Sequence, residues 1–220
     1  MIFPRIANRV LAFAAVALAG CTIIPSEVQI PTSSPNGAIA GNPEAPRAVL
    51  RLVKDDRRFE QAPSDPSTPS LFEDVEKATA DTKLRAVGRK RNGYGQAVAG
   101  VLLQQGQTVE GLVRTALTQA LGDAGYDVVA ETDTAPSLEI DARIDRFWSW
   151  IQWGFWALTL KSEISVDFAT SKRSGPTTVS VSVEAPHPFI TDGDWIETIG
   201  KALAAFRVEA ARKIAPATQP

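Results

Sequence analysis

The run Leu138-Glu-Ile-Asp-Ala-Arg-Ile-Asp145 decides the fold class. Leu138, Ile140, Ala142 and Ile144 alternate with Glu139, Asp141, Arg143 and Asp145, the two-residue period of a strand with one apolar and one wet face. The alternation returns twice downstream. Leu158, Leu160, Ile164, Val166 and Phe168 are set against Thr159, Lys161, Glu163, Ser165 and Asp167, and Val179, Val181 and Val183 against Thr178, Ser180 and Ser182. Ser171-Lys-Arg-Ser-Gly-Pro176 turns the chain between the last two runs. Neighbouring half-wet strands joined by short turns predict an antiparallel meander.

Helices flank this core. Over residues 108–124, Val109, Leu112, Val113, Ala116, Leu117, Ala120 and Leu121 share one helical face. Thr108 suits the N-cap, and Gly125 the left-handed residue after the helix. A second helix starts at Thr191-Asp-Gly-Asp194, with acids at its positive end and an apolar stripe of Ile196, Ile199, Leu203, Phe206, Ala210 and Ile214. Further strands are expected at Val49–Lys54 and from Tyr126, with a proline-rich loop at 61–70 and a short helix at 71–80. The expected fold is α+β: an antiparallel meander of about four or five strands with two helices packed on one face.

Between the first two alternating runs stands Phe147-Trp-Ser-Trp-Ile-Gln-Trp-Gly-Phe-Trp156, holding four of the five tryptophans. Continued alternation puts Trp148, Trp150 and Trp156 inside and Phe147, Trp153 and Phe155 outside, with the turn near Gln152–Gly154. One face can hardly bury all six rings. Either the helices or the N-terminal segment cover the rest, or the hairpin is a contact site, since exposed apolar patches mark interfaces. Tryptophan suits both protein hot spots and the membrane–water boundary.

The N-terminus sets the location. Arg5 and Arg9 precede an apolar run, Val10–Leu18, too short to span a bilayer. Leu18-Ala19-Gly20-Cys21 then looks like a lipobox: cleavage between Gly20 and Cys21, lipidation of Cys21, and anchorage of everything downstream. Thr22, where an aspartate would retain the protein in the inner membrane of enteric bacteria, leans toward the outer membrane, facing the periplasm. Residues 1–20 are thus read as signal peptide, 21–46 as lipidated cysteine and flexible tether, 47–214 as one domain and 215–220 as tail. A 25-residue tether would span about 25–30 Å, although Val28 and Ile30 could instead form a short edge strand.

Several function classes recede. Without its first twenty residues the chain has 21 Lys and Arg against 25 Asp and Glu, a net charge of −4, which argues against nucleic acid as a partner. Cys21 is the only cysteine, so lipidation leaves no thiol for a disulfide, metal or nucleophile. His187, the only histidine, lies between Pro186 and Pro188 and reads as a turn residue. Asp141 and Asp145 on one strand face would stand about 13 Å apart, too far for paired acid catalysis. No catalytic residue, metal site or cofactor is expected. Arg85, Arg89, Lys90 and Arg91, in a glycine-rich run that lacks the Lys-Ser/Thr of a phosphate loop, form a candidate basic patch for anionic headgroups or an acidic partner. The alternative is a solvated loop.

The order of these features resembles the YajG-like bacterial lipoproteins. A lipobox is followed by a strand ending in Asp56-Arg57. Then come a helix of the type Thr-Val-Glu-x-Leu-Val-Arg-x-Ala-Leu and the passage Gly125-Tyr126-Asp-Val, and last the acidic-polar strand and hairpin. The similarity runs over roughly residues 49–214; the tryptophan density and the loop at 61–82 depart from it. It implies an envelope lipoprotein with a small α+β domain and no activity. The functional expectation is a lipid-anchored, non-catalytic binding or accessory subunit with a protein partner in the envelope. The alternative is a protein that contacts membrane lipid through residues 147–156.

Overall fold

The computed structural model describes residues 25–32, 44–132, 135–154 and 156–215. Cys21, Gly20 and Phe155 lie outside the described residues. The three alternating runs form the expected meander. Strand β6 (Leu138–Trp153), β7 (Leu158–Thr170) and β8 (Arg173–His187) pair antiparallel in order. The rest of the sheet corrects the expectation of four or five antiparallel strands. Among the described residues it has eight strands and is mixed. β2 (Arg47–Asp55) runs parallel to β6, and β5 (Asp127–Val128) runs parallel to β2. β3 (Ala86–Arg91) and β4 (Ala97–Leu103) form an antiparallel hairpin. β1 (Ser26–Val28) lies parallel to β4 at the far edge. Part of the segment expected as tether is therefore strand, with Val28 and Ile30 fully buried.

β2 and β5 fall where strands were expected, at Val49–Lys54 and from Tyr126, whereas alternation was blind to β3 and β4. Ala97-Val-Ala-Gly-Val-Leu-Leu103 is apolar throughout because the sheet is covered on both faces there. β1 and β5 are too short to show a period. The expected helix at 71–80 is displaced: α1 is Ala80–Arg85, opening where the Thr79 hydroxyl accepts from the Thr82 amide at 3.1 Å.

The two long helices lie on one sheet face. α2 (Val109–Asp123) buries all seven expected apolar residues, and Gly125 takes φ +86°. α3 (Asp192–Ile214) buries Ile199, Phe206, Ala210 and Ile214 together with Trp195. The opposite face is covered in part by the loop after β2, where Leu71, Ala78 and Ala86 cluster with Phe59, Val75 and Leu102.

β6 is longer than its neighbours on one edge, and two strands share that edge in tandem. β2 pairs with residues 138–144, and β3 meets β6 at Gly88↔Ser149. At the junction the β6 register against β7 slips between Ile144 and Arg146, a bulge that turns the following side chains over. Arg57 fills this junction with a side chain shut off from solvent. It grips Asp55 in a two-pronged pair (Nε–Oδ1 and Nη2–Oδ2, both 2.8 Å). Its remaining N–H groups donate to the carbonyls of Ala86 (2.6 Å), Phe147 (3.0 Å) and Lys83 (2.9 Å). All five guanidinium donors are used.

Two stability predictions follow from this packing. Arg57→Leu leaves Asp55 buried and unpaired and should cost about 3–5 kcal/mol in urea unfolding. Arg57→Lys, with three donors and no planar fork, should recover less than half of that loss. A Cβ on Gly88 would meet the Trp195 ring at 2.6 Å and the Ser149 carbonyl oxygen at 2.8 Å, whereas one on Gly100 finds only Phe72 at 3.9 Å. Gly88→Ala should therefore lower stability by about 1–3 kcal/mol and Gly100→Ala should be close to neutral.

Candidate functional site

The bulge at Asp145 decides where the aromatic residues go, and it overturns the alternation expected for them. Beyond it the odd positions face the helices. Phe147, expected outside, is fully buried in the main core, and Trp148 is fully buried on the opposite face. Trp148 is covered by the loop rather than by a helix or the N-terminal segment. Its indole N–H donates to the Pro66 carbonyl at 3.1 Å, and Phe59 stands edge-on at 6.3 Å. Trp150 is half-buried with the Arg146 guanidinium 5.9 Å above its ring. Trp153 is 49 % exposed, and Trp156, expected inside, is 90 % exposed. The hairpin thus divides into a buried root and an exposed tip.

Two further exposed rings join that tip, and sequence reading missed both. Gly93 lies against Trp153, its missing Cβ 3.6 Å from the ring. The turn that carries Gly93 presents Tyr94, 92 % exposed. This turn is stiff. The Asn92 side-chain oxygen accepts from the amides of Tyr94 and Gln96 (both 3.0 Å), and Gly95 takes φ +78°. On the other side, Trp153 pairs with Leu158 and Leu158 with His187, so the chain leaving β8 emerges at the same end. There it shows Phe189, 67 % exposed. Asp194 accepts from the Thr191 amide (2.6 Å) and hydroxyl (2.7 Å) and stands 3.2 Å from His187 Nδ1, which fixes this turn. Asn-Gly-Tyr-Gly and Pro-His-Pro-Phe are turn sequences that mark these rings as exposed, but only the topology puts them at one end.

The four candidate basic residues do not form one patch. Arg85 is buried, paired with Asp81 (2.8 Å) and Glu27 (2.9 Å), and donates to the Leu103 carbonyl at 2.7 Å. Lys90 is tied to Asp192 (2.7 Å) and to the Ser26 hydroxyl (2.6 Å). That bond to Lys90 holds the Asp192 carboxyl below the usual carboxylate range. Arg91 donates to the carbonyls of Pro63 (2.7 Å) and Gly95 (3.0 Å) on the loop face. Arg89 is half-buried, and burial followed by the nearby Arg91 lowers its pKa from the usual arginine value.

A second feature is an open, charged groove of about 740 Å³ on the sheet face away from the helices, lined by Asp56, Arg58, Glu60, Arg143, Asp145, Arg146 and Asp167. The bulge brings Asp145 beside Asp167. Burial first, and then the Asp167 carboxylate, pushes the Asp145 carboxyl above its usual value. Among the described residues no group of three His, Cys, Asp or Glu side chains is arranged to hold a metal ion, and no helix is long and apolar enough to cross a membrane.

The raised Asp145 pKa has a definite sign in stability. The folded state holds this proton more tightly than the unfolded chain does. Stability is therefore lost as pH rises from the ordinary value of 3.8 through the raised one. Asp145→Asn should raise the urea midpoint modestly at neutral pH, and the gain should vanish below about pH 3.8.

No family model matches this sequence, and no curated protein matches it. Among solved structures, the chain is similar to protein XCC0632 from Xanthomonas campestris, of the family DUF330. The identity is 14 % and the TM-score 0.47, over 87 % of this chain and 93 % of that one. An uncharacterised protein matches with 11 % identity and a TM-score of 0.46, over 87 % of this chain and 99 % of that one. Likeness at this level carries nothing about the aromatic end or the charged groove.

Proposed function

We propose that the chain is a lipid-anchored envelope lipoprotein of YajG-like type, facing the periplasm from the outer membrane. It works as a non-catalytic binding or accessory subunit of an envelope complex. The observation that supports this is the way β1 is fastened. Ser26–Val28 pair with Val101–Leu103, Lys90 holds Ser26, and Arg85 holds Glu27. Cys21 lies only five residues before Ser26. At that span a lipid on Cys21 would seat the folded body directly on a membrane surface. The charged groove between Asp56 and Asp167 offers a protein partner both signs of charge, which favours register and selectivity over raw affinity.

The test is the mass of the N-terminal peptide of the protein isolated from membranes. The expected peptide begins at Cys21 and carries a thioether-linked diacylglyceryl group, and Cys21→Ala leaves uncleaved precursor. A mature protein that begins elsewhere and carries no lipid overturns the proposal.

A further inference from the structure

The exposed rings and the N-terminal end of β1 share one end of the sheet. β1 runs parallel to β4, which leaves the 92–96 turn and heads away from it. The N-terminal end of β1 therefore faces the turns that carry Tyr94, Trp153, Trp156 and Phe189. Lengths can be compared along the strands. Ser26 is level with Val101, Gly88 and Ser149 across β4, β3 and β6. Trp153 lies four residues beyond Ser149, about 13 Å. Five residues from Ser26 back to Cys21 reach at most about 17 Å, whatever their path. A lipid on Cys21 can thus bring a bilayer surface level with the aromatic turns and scarcely past them.

We infer that this end is a membrane-docking surface. Tyr94, Trp153, Trp156 and Phe189 enter the boundary between headgroups and acyl chains, and the lipid on Cys21 supplies the proximity. The inference rests on the anchored reading for its orientation. Three features select a bilayer over a protein pocket. The rings sit on three separate turns at the same end of the sheet, a spread suited to a plane rather than to one pocket. Tryptophan and tyrosine present an apolar body and a polar tip, which fits the interfacial region. The lead is too short to carry this end far from the surface that anchors it. Of the nearby cations, Lys90 and Arg91 are spent on Asp192, Ser26 and backbone carbonyls, and the unpartnered Nε and Nη1 of Arg89 are buried away from the surface. Docking should therefore depend little on anionic lipid, unlike adsorption through a basic patch.

Tryptophan emission reads this directly, because Trp148 and Trp195 are fully buried and Trp150 is half-buried. The mature protein is placed on phosphatidylethanolamine/phosphatidylglycerol vesicles whose acyl chains carry bromine near the headgroup. Flotation verifies that it is on the membrane. Emission should be quenched, and the quenching should fall at least about threefold in the Trp153→Ser/Trp156→Ser variant. It should change little when phosphatidylglycerol is omitted. Tyr94→Ser/Phe189→Ser, which keeps all five tryptophans, should weaken the quenching without moving the unfolding midpoint. A floated wild-type protein whose emission bromine does not quench overturns the inference, as does a photoreactive residue at Trp156 that crosslinks in cells to a discrete protein. The mass of the N-terminal peptide reports the anchor separately. If Cys21 carries no lipid, quenching by excess vesicles still supports docking and its absence still overturns it.

Discussion

The buried guanidinium of Arg57 is the constraint on which the sheet depends. Two strands, β2 and β3, share one edge of β6 and cannot both be continuous with it. Where one ends and the other begins, backbone carbonyls from Ala86, Phe147 and Lys83 converge on one buried side chain. Arg57 supplies the donors, and Asp55 neutralises it from the last residue of β2. Breaking such a pair costs far more than its net contribution, because the partner stays buried and charged. The same junction holds the bulge at Asp145, so the change of pairing partner and the change of side-chain parity occur together.

That change of parity shapes both faces. Phe147 joins Ile144 and Ile164 in the core beneath the helices. Trp148 is thrown to the other side, where a bare sheet would leave a large apolar surface in water at roughly 25 cal/mol per Å². The loop after β2 covers it with Phe59 and the Pro66 carbonyl. The proline-rich composition of residues 61–70 suits this task, since proline restricts the unfolded loop and lowers the entropy lost on docking it.

The elements legible in the sequence were those with a long, one-sided pattern. β7, β8 and the first half of β6 each bury one face, and α2 and α3 each carry one apolar stripe, so their periods stand out. β4 lies between two covered faces and reads as featureless apolar chain. The parallel pairing of β2 with β6 leaves no local trace, because a strand's residues do not encode the direction of its neighbour. The bulge at Asp145 was equally silent, which is why Phe147 was assigned to the wrong side, while Trp156 was misplaced because the sheet ends before it, in the turn between β6 and β7. Of the candidate site, Trp153 was legible as exposed. Tyr94 and Phe189 were missed: they stand in turn-like sequences, and only the topology brings them to Trp153. Arg85, Lys90 and Arg91 looked like a patch only because a sequence does not show which charges already have partners.

The fastening of β1 also has a mechanical meaning. A pull along the axis of β1 loads its bonds to β4 in shear, so that they share the force instead of breaking one after another. Behind them, Gln107 exchanges two hydrogen bonds with Ile30 (3.0 and 2.7 Å), and Gln104 donates to the Val28 carbonyl at 2.9 Å. Lys90 passes part of the load to Asp192 and so to the start of a 23-residue helix. Tension at this end is spread over the body of the protein before any single strand can be peeled away.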